Sequence, residues 1–359
     1  MPELINRVPL ASGSMSRRGF LGRSAALMAA LTAGGGVVSA CGGDSTGSGG
    51  SGEVTLLTIL PLETLSFAPE LLAKAGGHFK DQGINVTFES TRGSAQAVQM
   101  VLSGGAYLTW IGQIECMIAN RNKGADLRAI GTASRRNGLR FVSSEKSPLR
   151  KPEDFAGKTI GVPSEGGTSE LTLDLVLQSA DIDPKKVQRQ VVGLTPGIYN
   201  LVQNGRIDGF TVSLDTALTI QQQHPDAVSF DPGEVLVSGG QVYVSTPDGM
   251  EENRDSLQRY LGAINTSMKS IVDDAPNFEK TLKTLRGEYS FETLKNDEVA
   301  VATLKDSVAA WTLESSRGLL ETNQQDWSKA YQELTEASIV KPGGDPGSWI
   351  VNDLLPSGQ

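Results

Sequence analysis

Cysteine is nearly absent from this 359-residue chain: Cys41 and Cys116 are the only two, too few for a disulfide framework, so stability has to come from packing. Histidine is equally scarce. His78 and His224 stand alone, each beside helix-like sequence with no second ligand at metal-binding spacing, and no metal site is expected. Basic charge is in deficit, with 32 Lys and Arg against 41 Asp and Glu. Residues 1–40 hold four arginines and one glutamate; without them the balance is 28 against 40, a net charge of −12 that argues against a nucleic-acid partner. The glycine-rich turns lack the lysine of a phosphate-cradling loop, and no Gly-x-Ser-x-Gly elbow occurs in the globular part. Nothing here calls for a cofactor or marks an enzyme.

What is present begins with an address. Ser16-Arg17-Arg18-Gly19-Phe20-Leu21 precedes an apolar stretch that ends at Val38-Ser39-Ala40-Cys41. Paired arginines before such a stretch match a twin-arginine export signal, and small residues before a cysteine match a lipoprotein cleavage site. From Ser24 to Ala40 only 17 residues lack charge, short of the roughly 20 of a spanning helix. Residues 1–40 therefore read as a cleaved signal, with Arg17 and Arg18 as its export motif and Cys41 as the lipidated first residue. Residues 41–52, almost all Gly, Ser and Thr, read as a flexible tether. The expected location is extracytoplasmic, anchored by lipid to the outer face of the cell membrane, or periplasmic.

From Glu53 strand-like and helix-like pieces alternate, which predicts parallel sheets covered by helices. Strands are expected at 54–60, 84–89 and 107–111, and helices at 67–80 and 94–102. A second series repeats the order: strands 158–162, 187–192 and 207–212, helices 168–180 and 197–203. Setting Gly105 over Gly205 aligns a helix, a glycine stop and a strand in each series, which suggests duplication. Segments 129–133, 139–143 and 241–245 carry the chain between the two series, and two such crossings make a hinge. Four helices after Asn253 should pack around the first lobe. The expected lobes are 53–137 with 240–359, and 138–239, about 300 ordered residues being too many for one simple core.

In such sheets ligands sit beyond the carboxyl ends of the strands, where helix N-termini offer free N–H groups. Four turns qualify. They give the candidate ligand residues Leu62, Thr64 and Ser66; Trp110 and Gln113; Gly166, Gly167, Thr168 and Ser169; and Ser213 and Asp215. Gly166 to Ser169 offers close backbone approach and several donors, or simply caps a helix. Trp110 offers an aromatic face, or a core residue. Asp215 is suited to accept from an amine or ring N–H, or to favour its helix dipole. Arg135 and Arg136 near the crossing either neutralise an anion or stay solvated.

Three stretches carry a family resemblance: 67–74 leading into Gly77-His78-Phe79-Lys80-Asp81-Gln82-Gly83-Ile84; Pro152-Glu153-Asp154-Phe155-Ala156-Gly157-Lys158-Thr159-Ile160-Gly161-Val162; and Asn204-Gly205-Arg206-Ile207-Asp208-Gly209-Phe210. Over Glu53 to Pro356 the chain resembles the solute-binding proteins of ABC importers, in the broad family of aliphatic-sulfonate, nitrate and thiamine-precursor binders. The resemblance implies an α/β, two-lobed periplasmic-binding-protein-like fold (type II), two sheets flanked by helices with a hinge between the lobes. It also implies a monomer that closes on a small-molecule ligand and delivers it to an ABC permease. A pyrimidine or other heteroaromatic ligand is expected, with an aliphatic sulfonate or nitrate-like anion as the alternative. Relatives that synthesise the thiamine pyrimidine use a histidine and a cysteine-rich motif that this chain lacks. An exposed sensor on the same fold is a further class.

Overall fold

The computed structural model describes residues 52–313 and 318–356. The export motif, Cys41 and nearly all of the tether lie outside the described residues.

Two five-stranded sheets organise the chain. The first has the order β2-β1-β3-β10-β4, from β1 (Glu53–Thr58), β2 (Asn85–Ser90), β3 (Thr109–Gly112), β4 (Arg128–Ser134) and β10 (Gln241–Ser245). The second has the order β7-β6-β8-β5-β9, from β5 (Leu139–Ser144), β6 (Thr159–Val162), β7 (Gln188–Val191), β8 (Gly209–Ser213) and β9 (Ala227–Phe230). Each sheet has three parallel strands followed by one antiparallel strand, β10 or β5, and an edge strand. The matched order extends the helix, glycine and strand similarity seen around Gly105 and Gly205.

The sheets are thus mixed rather than parallel. β10 and β5 run against their neighbours because each follows a crossing between the sheets instead of a helical return. Residues 135–138 form one crossing and residues 231–240 the other.

Helices form where apolar residues recur at helical spacing. Leu257, Tyr260, Leu261, Ile264, Met268 and Ile271 share the buried side of the helix Arg254–Asp273, which packs on the helix Ala68–Ala75 against the first sheet. The helix expected over 67–80 is broken. Gly77 takes φ +82, a conformation that ends a helix at little cost in glycine, and the chain restarts as His78–Asp81. The helix expected over 197–203 opens with a short 3-10 turn, Pro196–Ile198, before Tyr199–Gln203.

The later helices do pack on the first sheet, through Leu257, Leu285, Leu304 and Trp311. The last of them, Gln324–Glu336, goes further. Its Trp327, Ala330 and Leu334 join a core that runs from Leu57, Ile111 and Val244 of the first sheet to Phe141, Ile160 and Val162 of the second. The two sheets therefore share one apolar cluster, and the turns at their strand ends are held face to face.

Candidate functional site

At the facing strand ends lies a cavity of about 240 Å³, lined by Trp110, Leu139, Leu194, Gln241, Ser94 and Thr168 among others. A smaller one of about 70 Å³ adjoins it and includes Ser66, Asn137, Ser213, Asp306 and Trp311. Leu60, Trp110, Leu139 and Gln241 line both. Trp110 ends the apolar strand β3 at 4% exposure, with its ring centroid 4.9 Å from that of Phe67 at a tilted angle. That contact fixes the indole while leaving part of it to the cavities.

Two buried carboxyls flank this region, each joining residues of the two sheets' turns. Glu115 stands in the first turn of the helix Gln113–Lys123, at 7% exposure. Its Oε1 accepts from the Ser94 hydroxyl at 3.1 Å and from the Thr168 hydroxyl across the gap. Burial pushes the Glu115 carboxyl above the usual carboxylate range, against the hydrogen bonds from Thr168 and Ser94. The carboxyl reaches this place because residue 112 is glycine: a Cβ there would collide with Oε2.

Asp215 is the second carboxyl, 1% exposed at the start of the helix Leu214–Gln223. Its Oδ2 accepts from the Thr64 hydroxyl at 2.9 Å, the Leu65 N–H at 3.2 Å and the Thr293 hydroxyl at 3.1 Å. Its Oδ1 accepts from the Ser213 hydroxyl and from the Thr216 N–H at 3.0 Å. Further out, Arg140 pairs with Asp231 at 2.9 Å and approaches Asp306 at 3.8 Å, while the Gln222 amide donates to Glu298 at 3.0 Å.

The residues singled out by sequence are dispersed over this arrangement. Trp110, Gly167, Thr168 and Ser169 line the larger cavity, and Ser66 and Ser213 the smaller. Thr64 and Asp215 bond one another, so Asp215 is not a free acceptor for a ligand amine: its oxygens are occupied by the protein. Leu62 packs on the first core, and Gly166 is exposed at φ +66. Gln113 faces another cavity, of about 330 Å³, behind the crossing strands with Trp327 and Lys329, and its N–H donates to Gly240. The Arg135 guanidinium donates to the carbonyls of Trp311, Gly318 and Glu321 and ties down the C-terminal segment. Arg136 borders the smaller cavity.

Sequence reasoning missed Ser94, Asn137, Leu139 and above all Gln241. Its side chain is 7% exposed, its Oε1 has no hydrogen-bond partner among the described residues, and it borders both cavities. The available signal was a lone amide heading the apolar strand Val242-Tyr243-Val244 straight after Gly239-Gly240.

Residues 64–276 match the family described as NMT1/THI5 like. The riboflavin-binding protein RibY of Chloroflexus aurantiacus is 21% identical over 331 residues, covering 86% of this chain and 87% of that protein. Among solved structures, the alkanesulfonate-binding protein SsuA from Xanthomonas axonopodis pv. citri, bound to MOPS, superposes with a TM-score of 0.63 at 15% identity, over 84% of this chain and 98% of SsuA. The periplasmic nitrate-binding protein NrtA from Synechocystis PCC 6803 superposes with a TM-score of 0.66 at 13% identity, over 85% and 87%. At these identities the structural matches establish a shared periplasmic-binding-protein-like fold.

Proposed function

The chain belongs to the NMT1/THI5-like family, and we propose that it is the solute-binding protein of an ABC importer. In this reading a small organic ligand is captured between the strand ends of the two sheets and handed to a membrane permease. Residues 53–137 with 240–359 form one lobe and 138–239 the other, hinged at the two crossings. Ligand bridging both sets of turns adds contact energy to the closed state and shifts the population toward it. The chain acts outside the cytoplasm as a monomer, tethered through lipid on Cys41, and performs no catalysis.

The observation that carries this reading is the cavity shared by Trp110 and Gln241 between the two sheets. An aromatic face beside an unpartnered amide suits a heteroaromatic ring better than an aliphatic solute. A volume of about 240 Å³ falls below the roughly 300 Å³ at which pockets for drug-sized ligands begin, which favours a single ring such as a pyrimidine over the three fused rings of a flavin.

One observation favours a second reading, a sulfonate or nitrate-like anion. The helices Ser94–Leu102 and Thr168–Gln178 start at the cavity without a side-chain cap, and Arg92 lines its rim, both attractive to negative charge.

Thermal unfolding of the protein against pyrimidines, flavins, sulfonates and nitrate tests the proposal. A true ligand at 100 times its Kd adds about 2.7 kcal/mol of stability. Failure of the whole panel to move the transition would overturn the assignment to these solute classes.

A further inference from the structure

We propose, on the premise that the cavity beside Trp110 holds the solute, that Glu115 and Gln241 select it: they turn the polar floor of the cavity into hydrogen-bond acceptors, favouring a neutral ring with N–H donors and rejecting an anionic head.

A hydroxyl carries one proton and two lone pairs. Ser94 and Thr168 both line the cavity, and both give their protons to Glu115 Oε1. Each oxygen therefore meets the solute with lone pairs only. Thr168, which reads from sequence as a donor, is an acceptor in place, as is Ser94, because a third residue has taken their protons.

Glu115 also bears on charge. Its Oε2 is buried against Gly112 without a hydrogen-bond partner among the described residues. An anion drawn in by Arg92, which is exposed at the rim, would have to set its head one hydroxyl away from this carboxyl. There it would meet the lone pairs of two hydroxyls and no donor from them, which disfavours an anion. The carboxyl thus stands where the converging helix starts would otherwise attract an anion.

Gln241 adds an acceptor at the same cavity through its buried Oε1. A buried carbonyl oxygen without a donor is costly, and a ring N–H in the cavity removes that cost. The oxygens of Ser94, Thr168 and Gln241 thus call for donors.

Calorimetric titration of the full chain with three probes tests this: 4-aminopyrimidine, 4-methylpyrimidine, which has the same ring and no N–H, and methanesulfonate. The parent protein should prefer the amino ring over the methyl ring at least tenfold and bind methanesulfonate at least tenfold more weakly than the amino ring. Glu115→Ala frees both hydroxyl protons and should raise methanesulfonate affinity at least tenfold. Glu115→Gln keeps an acceptor for the two hydroxyls and should retain the amino preference. Gln241→Leu should abolish part of that preference, and Gln241→Glu, which presents only acceptors, should keep it. Circular dichroism establishes that each variant is folded, and the two conservative variants decide the matter if the truncated ones are not. Methanesulfonate binding to the parent as tightly as the amino ring, or a preference unchanged in Glu115→Ala and Gln241→Leu, would overturn the inference while leaving a solute-binding protein. Binding of no probe by any of the five proteins would overturn the premise with it.

Discussion

The Thr64 hydroxyl donates to Asp215 Oδ2 at 2.9 Å, joining the turn after β1 in the first sheet to the helix after β8 in the second. Thr293 and the Leu65 N–H converge on the same oxygen. A residue at the start of a helix beyond a strand end thus serves to fasten the two halves together, and it does so beside the cavity rather than inside it.

Removing that fastening should be costly. Asp215→Ala strands three donors that are buried with it, and breaking a buried network of this kind costs about 3 kcal/mol. Urea denaturation should show a lower midpoint with an unchanged slope, and Asp215→Asn, which keeps one acceptor, should lose less. Equal stability of Asp215→Ala and the parent would mean that the bonds to Thr64 and Thr293 do not hold the halves together.

Trp110 serves both core and cavity, so its variants have to separate the two roles. Trp110→Ala should cost about 3–5 kcal/mol of stability, as large-to-small core changes do. Trp110→Phe keeps the packing against Phe67 in outline and should fold, yet bind a ring ligand at least tenfold more weakly, a difference of about 1.4 kcal/mol. Titration calorimetry on the Phe variant is the check.

Glu70 predicts a pH dependence with no connection to ligand. It is buried in the first core, where Tyr243 donates to its Oε1 at 2.5 Å. Burial raises its carboxyl to about 7, opposed by the Tyr243 bond. The native state therefore holds a proton that the unfolded chain, near 4.5, releases. The stabilising contribution is complete below about 4.5 and is lost as pH rises through about 7, on the order of 3 kcal/mol over the range. Glu115, raised in the same direction, adds to the trend. Denaturation midpoints should fall between pH 5 and pH 8 in the parent, and by less in Glu70→Gln.

Much of this fold could be read from the chain, for identifiable reasons. Ser94–Leu102 and Gln241–Ser245 were placed to the residue because Gly93, Gly104 and Gly240 punctuate them. Direction was not legible: the apolar pattern of β10 or β5 is the same whichever way the strand runs. The helix Gln113–Lys123 escaped notice because its buried residues, Ile114, Glu115, Cys116, Met117, Ala119 and Asn120, encircle it and erase the amphipathic period. β9 (Ala227–Phe230) was not legible either.

The site was legible in its turns and not in its side-chain roles. Asp215 was visible as a carboxylate at a helix start, but its occupation by Thr64, 151 residues away in sequence, is a product of the tertiary fold. Glu115 and Gln241 offered only a first-turn acid and a strand amide. Their meaning comes from what they do, or do not, bond.

The most direct test of the account is a crystal structure of the protein with the ligand that stabilises it in the panel. The account predicts electron density for a ring against Trp110, with a donor within hydrogen-bond reach of Gln241 and contacts from both sheets. Density confined to the cavity behind the crossing strands, beside Trp327 and Lys329, would contradict it.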